Sequence, residues 1–347
     1  ACISIVSTFL LLIFVKPLVV LLNVPQEAMT GTVQYLVICF IGIPFITAYN
    51  IISSIYRGLG DSKSPMYIIA IACLLNIILD YIFIGSFHMG PIGAALGTTV
   101  SQSVSVIIAL ISMKYRTSDI HIKKEDLHLQ SQVFKHILKV GFPVAIQDGC
   151  VQIAFMIITI IANSRGLNDA AAVGIVEKMI TAIFIIPSTM LATVSALSAQ
   201  NIGAKDYGRA RTVLKYAVMI TTLYGIIVAL IVECAAPTLL GLFTKDTTVI
   251  LLGVQYISSY IMDTIFAGIH FCFSGYFAAD GKSYIGFIHN IIAISLVRVP
   301  GSYIASIMYP HNLCPMGLAA PLGSLLSVII CLIAYRILKK KDELSVL

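Results

Sequence analysis

Charge is what this sequence has least of. Asp, Glu, Lys and Arg together make up 11% of its 347 residues, where a soluble domain carries roughly 25%. A chain so poor in charge cannot cover a water-facing surface with polar groups. With 59% hydrophobic residues and a mean hydropathy of +0.97, lipid must be the solvent for most of it. The formal net charge of +6 therefore does not imply nucleic acid; in a membrane chain Lys and Arg report loop orientation. Catalytic signatures are missing as well. Neither H-E-x-x-H nor G-x-S-x-G occurs, and no two of the eight cysteines form C-x-x-C. Most cysteines sit inside apolar runs and read as small core hydrophobes rather than metal ligands or disulfides. Of the histidines, His121, His128 and His136 fall in one polar stretch and His88 and His311 in loops. Only His270 and His289 fall in apolar runs, with no ligand-spaced partner along the chain. A basic n-region and a small-residue cleavage site are not seen at the start, which is apolar over 3–22, so the chain is expected to open inside a longer one.

What is present is a series of apolar runs of about 20 residues, each long enough to cross a bilayer as a helix. Ten are expected, at 3–22, 32–56, 65–85, 91–113, 137–162, 170–197, 212–236, 249–276, 284–308 and 316–338. Short connections rich in Gly, Pro, Asn and Asp join them. The exception is the polar linker 115–136, which divides the chain into an N-terminal bundle over 1–114 and a C-terminal bundle over 137–338, followed by a tail over 339–347. If the 57–64 loop is cytoplasmic, alternation puts 17 of the 22 Lys and Arg on the inside and only Arg165 and Lys245 on the outside, with Lys16, Lys178 and Arg298 within spans. That bias fits the positive-inside rule. It predicts a cytoplasmic linker and C-terminus in a cell-membrane protein. The 57–64 loop, R-G-L-G-D-S-K-S, lacks the G-x-x-x-x-G-K-[ST] spacing and a preceding strand, so it reads as a turn between helices rather than a phosphate cradle.

The chain repeats itself. Pro17 matches Pro237 at an offset of 220, Val33-Gln34-Tyr35 matches Val254-Gln255-Tyr256 at 221, Lys63-Ser64 matches Lys282-Ser283 at 219, and the SVIIALI run from Ser105 matches SVIICLI from Ser327 at 222. Four matches in order at a nearly constant offset point to duplication. The second copy has six spans and the first four, so about 87 residues, or two helices, are expected upstream. The expected fold is an all-α integral membrane protein of about ten transmembrane helices in two parallel-repeat bundles, 4+6 here and 6+6 in the intact protein. Each copy has an even number of helices, so both share one orientation, and two such bundles face each other across a central cleft.

Ionisable groups inside spans are costly and mark functional sites. Asn76 and Asp80 are four residues apart, which places them on one helix face, and Thr98 enters from the next span at a similar depth. A carboxylate, an amide oxygen and a hydroxyl are hard ligands suited to Na⁺, or to a proton held on Asp80. The same spacing also suits a helix–helix hydrogen-bond clasp. Asp263 lies near the middle of its run, and Gln147, Asp148 and Gln152 form a polar cluster that could line the cleft and meet cationic substrates or protons. Glu177 and Lys178, being adjacent, point about 100° apart and do not pair with each other. Arg298 is expected to snorkel outward.

These residues resemble the multidrug and toxic compound extrusion (MATE) family, in its DNA-damage-inducible-protein-F-like branch. The resemblance rests on R-G-L-G-D-S-K-S-P ending at Pro65, on Asn76-x-x-x-Asp80, on P-x-G-A-A-x-G from Pro91 to Gly97, and on A-Q-N-I-G-A from Ala199, with Arg209 and Arg211 following. It implies Na⁺- or H⁺-coupled antiport of organic cations and other toxic amphiphiles, with no cofactor beyond the coupling ion. It further implies that Asn76, Asp80 and Thr98 bind that ion. The family's other key carboxylate lies on a first helix that this chain lacks. Another branch uses a Glu where Val151 and Gln152 stand here and an Asp to which Asp263 corresponds. The expected partners are small organic substrates, Na⁺ or H⁺ and the bilayer, with the protein a monomer. A lipid-linked precursor or polysaccharide flippase of the same superfamily would call for a cationic cleft. Here the in-span acids Asp80, Asp148, Asp263, Glu177 and Glu233 outnumber the bases Lys16, Lys178 and Arg298. A membrane-embedded enzyme would need a catalytic constellation, and a channel would not need duplicated bundles with discrete acids.

Overall fold

A computed structural model describes residues 2–21, 26–116 and 130–344. The linker residues 117–129, with Lys123, Lys124, His121 and His128, and residues 345–347 lie outside the described residues. The described residues form an all-α, multi-pass integral membrane fold. Nine helices among them are long and apolar enough to cross a membrane, or ten if one bent pair counts as a single span.

The chain divides into two compact units, Ala1–His128 and Leu129–Leu347. The first holds α1 (Cys2–Leu21), α2 (Gln26–Gly58), α3 (Lys63–Asp80) with a π-helical turn over Tyr81–Ser86, and α4 (Gly90–Arg116). Its core is Tyr49, Ile52, Tyr56, Ile68, Val106 and Ala109, where α2, α3 and α4 meet. Large side chains such as Leu74, Ile77 and Tyr81 stay exposed, which suits a lipid solvent.

The second unit holds α5 (Ser131–Arg165), α6 (Leu167–Ile183), α7 (Ile185–Gly203), α8 (Tyr207–Gly241), α9 (Thr247–Tyr260), α10 (Asp263–Ala279), α11 (Ser283–Ala293) with a π-helical turn over Ile294–Arg298, α12 (Val299–Met308) and α13 (Cys314–Leu344). Helices α6 and α7 make one span, which runs over Leu167–Gly203 rather than 170–197. The eighth expected run, 249–276, is not one straight helix: α9 and α10 meet at a 42° bend. Arg165, almost fully buried at the end of α5, ties the α5–α6 turn to α12. It pairs with Asp169 at 2.6 Å and donates to the carbonyls of Ser306, Tyr309 and Pro310. Of the seven free cysteines described, only Cys272 and Cys331 are in the core, whereas Cys73 and Cys234 are exposed.

The 57–64 loop is a turn between helices. Asp61 accepts from the backbone N–H of Lys63 and of Ser64, both at 3.0 Å, and so satisfies donors at the start of α3. Gly60 (φ 88°) and its repeat partner Gly281 (φ 69°) both take the left-handed conformation that ends a helix.

Candidate ion-coupling site

In the first unit, Asp80 closes α3 at the point where the helix widens into its π-helical turn. Such turns are rare and recur at functional sites. The Asn76 side-chain amide donates to Asp80 Oδ1 at 3.4 Å. Both side chains are half-buried. Helix α4 crosses them at Gly97, where a Cβ would stand 2.1 Å from Asp80 Oδ1 and 3.4 Å from Asn76 Nδ2. Any side chain at 97 would push the Asp80 carboxylate aside. Thr98 does not join the pair by hydrogen bond: its hydroxyl donates to the Ala94 carbonyl on its own helix at 3.1 Å. Tyr35 on α2 is within electrostatic reach of Asp80. Among the described residues, no Lys or Arg forms an ion pair with Asp80.

Asp263 has a different setting in the second unit. The bend makes it the first residue of α10, where the helix dipole favours negative charge. It is fully buried, and Arg298 Nη2 stands 3.7 Å from its Oδ2. Arg298 does not snorkel outward. Its side chain is only 14% exposed, it donates to the Tyr260 hydroxyl, and its guanidinium lies over the rings of Phe155 at 5.1 Å and Tyr260 at 5.7 Å. The fixed acid inside the membrane holds it more strongly than water beyond the lipid.

The residues expected as one cluster on α5 separate. Gln147 is buried against α11, its Oε1 standing 3.3 Å from where a Cβ on Gly286 would lie, whereas Asp148 and Gln152 are exposed. Gln152 lines a groove of about 690 Å³ with Glu177, Lys178, Phe155, Phe184 and Phe271. Glu177 points inward and accepts from Thr159 on α5 at 3.3 Å, while Lys178 points out. Among the described residues, no three His, Cys, Asp or Glu side chains gather as a metal cluster. The roles of Gly97, His270 and His289 do not follow from spacing toward a ligand along the chain. Gly97 stood in the P-x-G-A-A-x-G run, and Asp263, His270 and Ser274 share one helix face by spacing alone.

The family model described as MatE matches residues 1–82 and 143–304. The chain belongs to the MatE family. It is 29% identical over 282 residues to the probable multidrug resistance protein YpnP of Bacillus subtilis, covering 81% of this chain and 62% of that protein. Its identity to the multidrug export protein MepA of Staphylococcus saprophyticus is 24% over 262 residues, or 76% of this chain and 58% of that one. It thus spans less than two thirds of the length of these relatives. Among solved structures, the outward-facing conformation of a multidrug resistance MATE family transporter of the MOP superfamily matches with a TM-score of 0.91 at 20% identity, over 97% of this chain and 75% of that one. A MATE in complex with MaL6 matches with a TM-score of 0.90. The relative MepA is named as an export protein.

Proposed function

We propose that this chain is the greater part of a cell-membrane multidrug exporter that expels organic cations and amphiphiles in exchange for Na⁺ or H⁺. In this reading the linker 115–136 and the C-terminus are cytoplasmic, the protein works as a monomer, and Asp80 is the coupling acid of the first unit. The observation that carries it is the contrast between the two in-span aspartates. Asp263 has a built-in cation in Arg298, whereas Asp80 has Asn76 beside it, Gly97 above it and, among the described residues, no cation of its own. An ionised carboxylate inside a membrane is expensive unless a cation or a proton neutralises it. Whichever ion arrives changes the free energy of the state that holds it, and this differential interaction can bias two conformations. The names of the relatives YpnP and MepA support multidrug cargo.

The test is Asp80→Asn, which keeps the shape and removes the charge. We expect it to abolish gradient-driven dye efflux, with Na⁺ and pH gradients imposed separately, while the protein still inserts and still binds substrate. Efflux at the wild-type rate under either gradient would leave Asp80 as a structural clasp.

A further inference from the structure

The second unit contains a cavity of about 60 Å³ lined by Asp263, His270, Asn290, Arg298, Ser324 and Ser327 on its polar side and by Phe155, Phe184 and Phe271 on its apolar side. Two buried side-chain nitrogens of residues lining it, Nδ1 of His270 and Nε of Arg298, have no hydrogen-bond partner, and the Asp263 carboxylate has Arg298 at 3.7 Å and Ser324 beside it, leaving room for further donors. Polar atoms taken out of water need partners. Water is the partner of the right size, and the space holds roughly two to four molecules.

Polar groups continue beyond the cavity. Asp263, His270 and Ser274 occupy positions i, i+7 and i+11 of α10, one stripe along ~16 Å of helix. The His270 and His289 rings are 5.4 Å apart, and the His289 Nε2 and Ser274 Oγ atoms are 2.9 Å apart. Ser274 Oγ and Gln147 Oε1 both stand over Gly286, one turn from Ser283, whose hydroxyl bonds the Val140 carbonyl at 2.8 Å. The stripe therefore runs from the bend at Asp263 toward the 280–282 turn, which the Lys and Arg distribution assigns to the cytoplasmic side. Here Nδ1 of His270 and Nδ1 of His289 have no partner.

We propose that the cavity holds a short water chain joining Asp263 to His270, and that His270 and His289 form a proton relay along the inside of the second unit. Imidazole suits this task. A proton taken up at Nδ1 of His270 from water is matched by loss of the proton at its Nε2 to the open Nδ1 of the adjacent His289, which in turn gives its Nε2 proton to Ser274 Oγ as that hydroxyl releases its own, so each ring ends as its other tautomer with no charge left behind. The groups that face the relay are Asp263 on α10, His289 and Asn290 on α11, Arg298 on the π-helical turn, and, through Arg298, Glu177 on α6 and Tyr256 and Tyr260 on α9. Helix α13 contributes Ser324 and Ser327, with Cys331 one turn further on; α7 carries no titratable side chain, and α8 meets α10 on its Cys272 side. With both acids ionised, Asp263, Glu177 and Arg298 sum to a net negative charge, which one bound proton cancels. This inference rests on the antiport reading in that it takes the proton as the coupled ion of this unit.

The test uses the protein expressed from its whole reading frame, in lipid bilayers. With ¹⁵N-labelled histidine, we expect solid-state NMR to show magnetisation transfer from water to Nδ1 of His270, assigned by its loss in His270→Gln. A dry His270 would overturn the water chain without reference to transport. With a pH gradient as the driving force, His270→Phe is expected to slow efflux at least tenfold and to flatten its pH profile, with substrate affinity within twofold of wild type. If His270→Phe fails to insert, His270→Gln keeps the size and is expected to show the same loss. Wild-type efflux in a variant that inserts overturns the relay. Asp80→Asn run in parallel separates the two readings. Loss in the His270 variant alone removes the Asp80 assignment, and loss in Asp80→Asn alone removes the relay.

Discussion

Gly97 and Arg298 are the two single residues on which the candidate sites depend most. Gly97 lets the backbone of α4 touch the Asp80 carboxylate, and a methyl group there would stand 2.1 Å from Oδ1, far inside van der Waals contact. We therefore expect Gly97→Ala to push the carboxylate off Asn76 and to cut gradient-driven efflux at least tenfold, measured as dye loss from energised cells, with the expression level unchanged. Arg298 acts through charge. Removing it leaves Asp263 buried and unpaired, an error worth about 3–5 kcal/mol. Arg298→Met is expected to lower the thermal midpoint of the purified protein by several degrees, and Arg298→Met combined with Asp263→Asn to recover most of the loss, because the second change removes the stranded charge. A double variant no more stable than the single one would deny the pair its structural share. The position of Asp80 on α3 is plain from the sequence. That its neighbour would be the glycine at 97 and not the hydroxyl at 98 is a matter of which way α4 faces, and spacing along one chain does not fix that.

At the scale of elements, each unit has a π-helical turn next to an in-span charge. Helix α3 passes into a π-helical turn at Asp80, and α11 passes into one that ends at Arg298. The offset near 219 that aligns Lys63 with Lys282 also brings residue 80 to within one position of Arg298. One copy thus carries an acid and the other a base at the same kind of turn. Likewise α2, with Tyr35, corresponds to the α9–α10 pair, with Tyr256. The first is one kinkable helix containing Pro44, whereas the second is broken by 42°. The break matters because it turns Asp263 from a mid-helix residue into the first residue of a new helix, which faces its carboxylate to the dipole of α10. Sequence periodicity could not show it. Residues 260–263 contain neither Pro nor Gly, and the packing of α9 and α10 against α8 and α13 selects the bend.

For the molecule as a whole, the distribution of Lys and Arg is the strongest guide to its orientation in the membrane. A cysteine introduced at position 123 or at 339 is expected to react with a membrane-impermeant maleimide only after the cell is opened. Labelling at 123 from outside intact cells would invert every span. The sequence by itself determined the solvent and most of the helices, because each follows from local composition: apolar runs of bilayer length joined by turns of Gly, Asp and Ser. Through short motifs it also pointed to the family. The tertiary structure alone decided which in-span charges have partners. Asp80 and Asp263 look alike along the chain, and so do Arg298 and a snorkelling arginine near a helix end. Their difference lies in what stands opposite on another helix: Gly97 for one aspartate, Arg298 for the other. The same holds for His270 and His289, nineteen residues apart in sequence and ring to ring in space. Inside a membrane the cost of a charge or a polar atom is set within a few ångströms of it, and those few ångströms are filled by residues far away along the chain.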